Sequence, residues 1–293
     1  MTTGRLSIMT RSAAELDAVL EAEWATWGVD HGGCAILDWT GVVSCVGSTT
    51  EVLPWASVSK IVAALAVLDV VVDGALDLDS PAGPPGATVR HLLAHASGLS
   101  FDDDRVLAAP GARRIYSNVG IDLVVAVAAA AAGARDAADL LTSRVLAPLG
   151  MHETELVGPP AHGLHGPFLD LMALAAELLH PVALRPAVID LAVTPAFTGL
   201  AGVLPGFGRQ DPNDWGLGVE LRGSKSPHWM PPSVASTAFG HFGQSGSFVW
   251  VDRALGLSAV ALTGTPFGDW AAQGWSRSME AWLAAWRRGA SAS

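Results

Sequence analysis

The chain has 293 residues, a formal net charge of −11, 50% hydrophobic residues and only 15% charged ones. That length holds one large domain or two modest ones around a sizeable core, and an acidic balance without a basic patch excludes nucleic-acid binding driven by charge. A strongly anionic ligand is repelled at long range, although a local pocket can carry the opposite sign.

The mean hydropathy of +0.37 owes much to alanine-rich runs such as VVAVAAAAAGA from Val124. These are too short or too interrupted to span a bilayer and read as buried helices. The N-terminal segment MTTGRLSIMTRSAAELDAVLEAEW lacks the basic start and apolar stretch of a secretory signal, so a cytoplasmic location is expected. After Ser12, acids and apolar residues recur at helical spacing, which predicts a helix over 12–28. GGCAILDWTGVVSCVG reads as two short strands about a turn. Cys34 and Cys45 flank that turn and are expected opposite each other on the hairpin, as buried, reduced thiols; a cross-strand disulfide is the alternative.

SVSKIVAALAVLDVVVDGAL predicts a largely buried helix from near Ser57 to Gly74. Helices are expected next near 87–95, 119–132, 136–147, 167–180 and 184–192, between Pro/Gly loops. Strand signals return in WGLGVEL, SGSFVWVD and LGLSAVALTG, and an amphipathic helix beginning at Trp270 ends the chain. Strands at both ends and helices between predict an α+β fold. One antiparallel sheet is built from both termini, flanked by the N- and C-terminal helices, with a mostly helical region inserted. The sheet region is assigned to 1–78 plus 212–293 and the inserted region to 79–211.

Three short stretches carry chemistry. In ASVSK, Ser57 and Lys60 stand at i and i+3 near a helix start, which sets hydroxyl and amine on one face. A serine is a poor nucleophile until a base removes its proton, and a partly buried lysine can be that base. Only two of the seventeen basic residues are lysines, Lys60 and Lys225. The chain uses arginine almost wherever a surface cation would serve, which argues that Lys60 is kept for its titratable amine. In APGARRIYSN, Tyr116 is the single tyrosine and Asn118 follows two residues on. A phenol near a lysine can share a proton and act as base, then acid; taken alone, the segment reads better as a half-buried aromatic at a loop-to-helix junction with Asn118 as N-cap. In FGHFGQSG, Gly240, Gly243 and Gly246 let a strand edge approach a ligand closely, with His241 at its edge.

SVSK, YSN and HFG, in this order, resemble the S-x-x-K, Y-x-N and K/H-x-G motifs of the serine β-lactamase/penicillin-binding protein superfamily. The likeness is greatest to its class C branch with the related carboxylesterases and D-amino-acid peptidases. HLLAHASGL from His91 and LAPLGMHET from Leu146 are similar to flanking segments of that group. The resemblance implies a β-lactamase/transpeptidase-like fold and an acyl-enzyme on Ser57. Lys60 and Tyr116 then move its proton, and the backbone N–H groups of Ser57 and Gln244 form the oxyanion hole. Asn118, His241, Phe242 and Gly243 face the substrate. In two respects the chain departs from many lactamases and peptidases. His241 and Phe242 replace the lysine and the hydroxyl residue that grip a carboxylate, which favours a neutral ester or amide. The expectation is therefore a serine hydrolase of small-molecule carboxylic esters. A β-lactamase or D-amino-acid peptidase is the alternative, and a low-turnover binding protein or an acyltransferase the second. No metal and no cofactor are expected: His91 and His95 have helical i, i+4 spacing, but Leu92 stands where a zinc protease has glutamate. Phe101–Asp104 reads as a solvated loop, and Trp229, in SPHWMPPS, is a candidate wall of an acyl pocket or part of a lid.

Overall fold

The computed structural model describes the backbone of residues 3–291 and the side chains of 14–289. One six-stranded antiparallel sheet joins the two ends of the chain. Its spatial order is Gly41–Gly47, Gly33–Asp38, Leu257–Leu262, Ser247–Asp252, Phe239–Gly243 and Glu220–Leu221. The N-terminal hairpin meets the C-terminal strands where Gly33–Asp38 pairs with Leu257–Leu262, from Gly33 opposite Leu262 to Asp38 opposite Leu257.

Both faces of the sheet are covered, so its central strands are buried along their whole length. Successive strand residues point to opposite faces, and they divide accordingly between two cores. Ala35, Leu37, Val249, Val251, Val260 and Leu262 join the core formed with the helices of the middle of the chain. Cys34, Ile36, Phe248, Trp250, Ala259 and Ala261 join a second core beneath the terminal helices Thr3–Thr26 and Asp269–Ser291. Those two helices pack on one another, with Trp27 Nε1 donating to Ser278 Oγ at 3.0 Å. The N-terminal helix starts nearer the chain end than its amphipathic pattern predicts, at Thr3 rather than 12.

The middle of the chain is helical, with Asn118–Ala132, Phe168–Leu179 and Pro186–Val193 its longer helices. Among the described residues no single helix is long and apolar enough to cross a membrane.

The cysteine expectation needs correction. Asp38 pairs with Gly41 and Leu37 with Val42, a register that would set Cys34 against Cys45. A bulge between Ile36 and Leu37 shifts it by one residue, so Cys34 faces Val46 and Cys45 faces Ala35. One inserted residue turns every later side chain to the other face. Cys34 is buried, Cys45 is exposed, and both are free thiols.

Candidate active site

Ser57 lies in a single 3-10 turn, Ala56–Val58, that leads into the buried helix Ser59–Val72. Ala56 enters that turn at φ +46°, a conformation that costs a residue with a side chain about 1–3 kcal/mol and persists only where its surroundings enforce it. Here they do. Ser247 Oγ donates to Trp55 O at 2.7 Å, and Trp55 Nε1 donates to Gly166 O at 3.2 Å. Gly243 passes so close that a Cβ there would lie 2.5 Å from both Trp55 O and Ser247 Oγ. Only glycine fits, and its absent side chain lets the edge of strand Phe239–Gly243 come alongside the serine turn. Ser57, Tyr116, His241, Phe242 and Gln244 consequently line one cavity of about 250 Å³.

Lys60, one turn into the helix, is completely buried. Its Nζ lies 3.1 Å from Ser57 Oγ, 2.6 Å from Asn118 Oδ1 and 2.9 Å from Ala161 O. Burial lowers its pKa to about 7, against the opposing pull of Asp122 and Asp102. All three oxygens can accept from the ammonium, and the same set also serves the neutral amine. Asn118 Oδ1 and Ala161 O can only accept, so they take its two N–H bonds. Its lone pair is left for the one partner able to donate, the Ser57 hydroxyl. Asn118 is oriented in turn by Asp102, whose Oδ1 accepts from Asn118 Nδ2 at 2.6 Å, and the Ala161 amide donates to Asp122 Oδ1 at 2.8 Å. Asn118 thus holds Lys60 rather than standing in the cavity wall. The Phe101–Asp104 loop, expected to be merely solvated, supplies both the aspartate that orients Asn118 and an aromatic wall, Phe101.

The Tyr116 ring stands 4.7 Å from Lys60 Nζ, centroid to atom, between His95 at 4.6 Å and Trp215 at 5.7 Å. Burial pushes its phenol pKa well up, only partly offset by a hydrogen bond with Ser57, so it stays protonated at neutral pH. Its hydroxyl faces His241 Nε2 at 3.4 Å. His241 Nδ1 lies 2.7 Å from Phe242 O, which can only accept. That bond places the imidazole proton on Nδ1 and leaves Nε2 as an acceptor for the phenol. Burial, with the Lys60 charge, lowers the His241 pKa to about 3. His241 therefore presents no cation to a substrate, and Phe242 offers only its ring, packed 5.0 Å from Phe267.

Behind these residues is a carboxylate that the sequence reading did not single out. Glu220 lines the cavity yet is fully buried. It receives His228 Nε2 and Trp229 Nε1 at 2.8 Å each and lies 3.3 Å from Lys225 Nζ. Burial alone would raise its pKa, but Lys225 and His228 outweigh that and hold it at about 2. Trp229 is accordingly neither lid nor wall. It has no exposed surface, packs 5.7 Å from Phe242 and is held inward by the carboxylate. Trp55 is likewise buried beneath the serine turn. Phe101, Leu204, Pro205 and Trp215 complete the cavity, and the sequence reading had named none of them as its walls. His91 and His95 do not converge. His91 Nδ1 meets Thr88 Oγ1 at 2.9 Å, whereas His95, at φ +55°, accepts from the Ser117 amide at 3.2 Å.

The β-lactamase family profile matches residues 47–280, which include every residue of this constellation. A β-lactamase structure from Mycobacterium bovis is 44% identical, with a TM-score of 0.87 over 91% of this chain and 99% of that one. Simvastatin synthase (LovD) from Aspergillus terreus, in a mutant form, shares the fold at 18% identity and a TM-score of 0.73, over 95% and 96% of the two chains. EstCE1, a hydrolase with promiscuous acyltransferase activity, does so at 18% and 0.69, over 94% and 98%. No curated protein sequence matches the chain. With four-fifths of its length matched, the chain belongs to the β-lactamase family, whose fold is generally that of hydrolases.

Proposed function

We propose that this protein hydrolyses a small-molecule carboxylic ester through a covalent acyl-enzyme on Ser57. The observation that carries the reading is the hydrogen-bond set of Lys60: a buried amine with a pKa of about 7, 3.1 Å from Ser57 Oγ, whose other two partners are pure acceptors. Lys60 takes the Ser57 proton as Oγ attacks the ester carbonyl. The backbone N–H groups of Ser57 and Gln244 receive the developing oxyanion. As the C–O bond breaks, Tyr116 gives its proton to the departing alcohol and regains one from the Lys60 ammonium, so the serine proton ends on the alcohol. Water then repeats the sequence on the acyl-enzyme, releasing the acid and restoring Ser57. Asn118 and Asp102 keep the Lys60 lone pair aimed at the hydroxyl.

An ester with no carboxylate at the third motif is preferred to a β-lactam or a peptide carboxylate because that motif offers neutral His241 and apolar Phe242. Hydrolysis of β-lactams is the second reading, favoured by the 44% identity to a structure described as a β-lactamase. Transfer of the acyl group to an alcohol or amine would use the same acyl-enzyme. A paired assay separates these: p-nitrophenyl esters of several acyl lengths against a chromogenic cephalosporin, with intact-mass detection of the adduct. Ester turnover through an adduct on Ser57 is expected. Fast cephalosporin turnover without ester turnover would reverse the order of the two readings.

A further inference from the structure

Beside the catalytic cavity lies a second, of about 540 Å³, which the reaction scheme leaves unused. The two share Phe101, Tyr116 and Pro205 as walls. The second is closed on one side by the hairpin of Gly202–Leu204 and Gly208–Gln210. Gly202 bridges Arg114 there, and a Cβ on it would lie 2.5 Å from Arg114 O. The hairpin is thus clamped against the segment that carries Tyr116.

Two features point to a ligand. Phe101, Leu107 and Val203, all in this groove, are 50%, 47% and 61% exposed. Clustered exposed apolar side chains in a concavity mark binding surface. The charged side chains lining the groove are Arg113, Arg114 and Arg209, with no carboxylate among them, in a chain of net charge −11. Arg114 is buried and committed to backbone carbonyls, at Asn213, Ala196 and Phe197 among others. Arg113 and Arg209 are exposed. Arg113 donates to Leu107 O at 3.2 Å, and Arg209 meets Asp211 at 3.2 Å in a surface pair of the kind that contributes little. Both forks keep donors for a carboxylate, which a guanidinium matches in a bidentate geometry. Arg209 lies directly across the hairpin from Val203, so cation and apolar surface are adjacent.

We propose that this groove is a subsite for the alcohol portion of the ester, and that this portion has an apolar body ending in a carboxylate. The assignment to the alcohol side rests on the hydrolase reading above, in which Tyr116, the wall common to both cavities, protonates the departing oxygen. The anion is gripped at Arg113 and Arg209, away from His241 and Phe242.

The test uses acetate esters of ω-hydroxy acids of four to ten carbons, their methyl-capped neutral counterparts and ω-amino counterparts. At the chain length that spans the groove, kcat/KM is expected about tenfold higher for the carboxylate than for the neutral ester, and the preference falls as salt screens the pair. In Arg113→Gln/Arg209→Gln the ratio falls toward one, and in Arg113→Glu/Arg209→Glu it turns in favour of the ammonium. A ratio taken within one variant does not depend on how much of that variant is folded. No preference at any length, or one unchanged by the double substitution, overturns the proposal. Turnover of p-nitrophenyl acetate by the unmodified protein reports on the hydrolase reading separately: if it is present without a carboxylate preference, the subsite alone fails, and if it is absent, the hydrolase reading fails.

Discussion

Replacing Tyr116 by Phe removes one oxygen and tests its proposed role as proton carrier. The ring contacts, 4.6 Å to His95, 5.7 Å to Trp215 and 5.9 Å to Phe101, are unaffected in kind. The hydroxyl loses a long contact to His241 Nε2, at 3.4 Å, and its hydrogen bond with Ser57, so its removal costs about 1–2 kcal/mol. In a protein of this size that lowers Tm by a few degrees. The kinetic effect is far larger, because a positioned general acid contributes on the order of 10²–10⁴ in rate. The substrate is an alkyl acetate, whose alkoxide, unlike p-nitrophenolate, needs a proton to leave; rapid-quench release of its alcohol measures acylation, and steady-state release measures turnover. Both are expected to fall by at least two orders of magnitude, while the acid limb of the pH profile, set by Lys60, stays in place. A Tyr116→Phe variant with near-normal acylation and turnover would return the phenol to a packing role and refute the argument.

Three further outcomes follow from the geometry. The base must be neutral to act and Lys60 has a pKa of about 7, so kcat/KM for an uncharged ester rises with pH through a midpoint near 7. Below that it falls about tenfold per pH unit; a flat profile from pH 5 to 8 would contradict the assignment. Gly243→Ala drives a Cβ into Trp55 O and Ser247 Oγ, which displaces the serine turn; esterase activity is expected to drop more than a hundredfold, with a lower Tm in calorimetry. Glu220→Gln leaves the Lys225 ammonium buried without its counter-charge, a loss of about 3–5 kcal/mol that denaturant unfolding would register. Glu220→Gln with Lys225→Met removes the unpaired charge and keeps an amide acceptor for His228 or Trp229; it is expected to recover part of the loss, and no recovery would show that the unpaired charge is not its source.

The sheet was legible in the sequence because its strands are short apolar runs bounded by glycine turns, and the helices because apolar spacing is a local property. The Cys34–Cys45 register was not, since one bulge residue shifts it and nothing in GGCAILDWTGVVSCVG marks where that residue sits. The scarcity of lysine drew attention to Lys60, and the structure shows both lysines of the chain buried. The same clue, applied to Lys225, would have pointed to Glu220, the lone acid in the apolar run WGLGVEL. Asp102 and the groove beside Tyr116 were beyond reach for another reason. They depend on loops brought together across long stretches of chain, and a surface Asp or Arg carries no periodic signal.

The central claim is that Ser57 carries the acyl group. Intact-mass spectrometry of the protein quenched during turnover of a p-nitrophenyl ester, followed by peptide mapping, tests it most directly. The expected result is one acyl adduct on the peptide containing Ser57, absent in Ser57→Ala together with the activity. Full esterase activity in Ser57→Ala, or an adduct mapped to another residue, would contradict it.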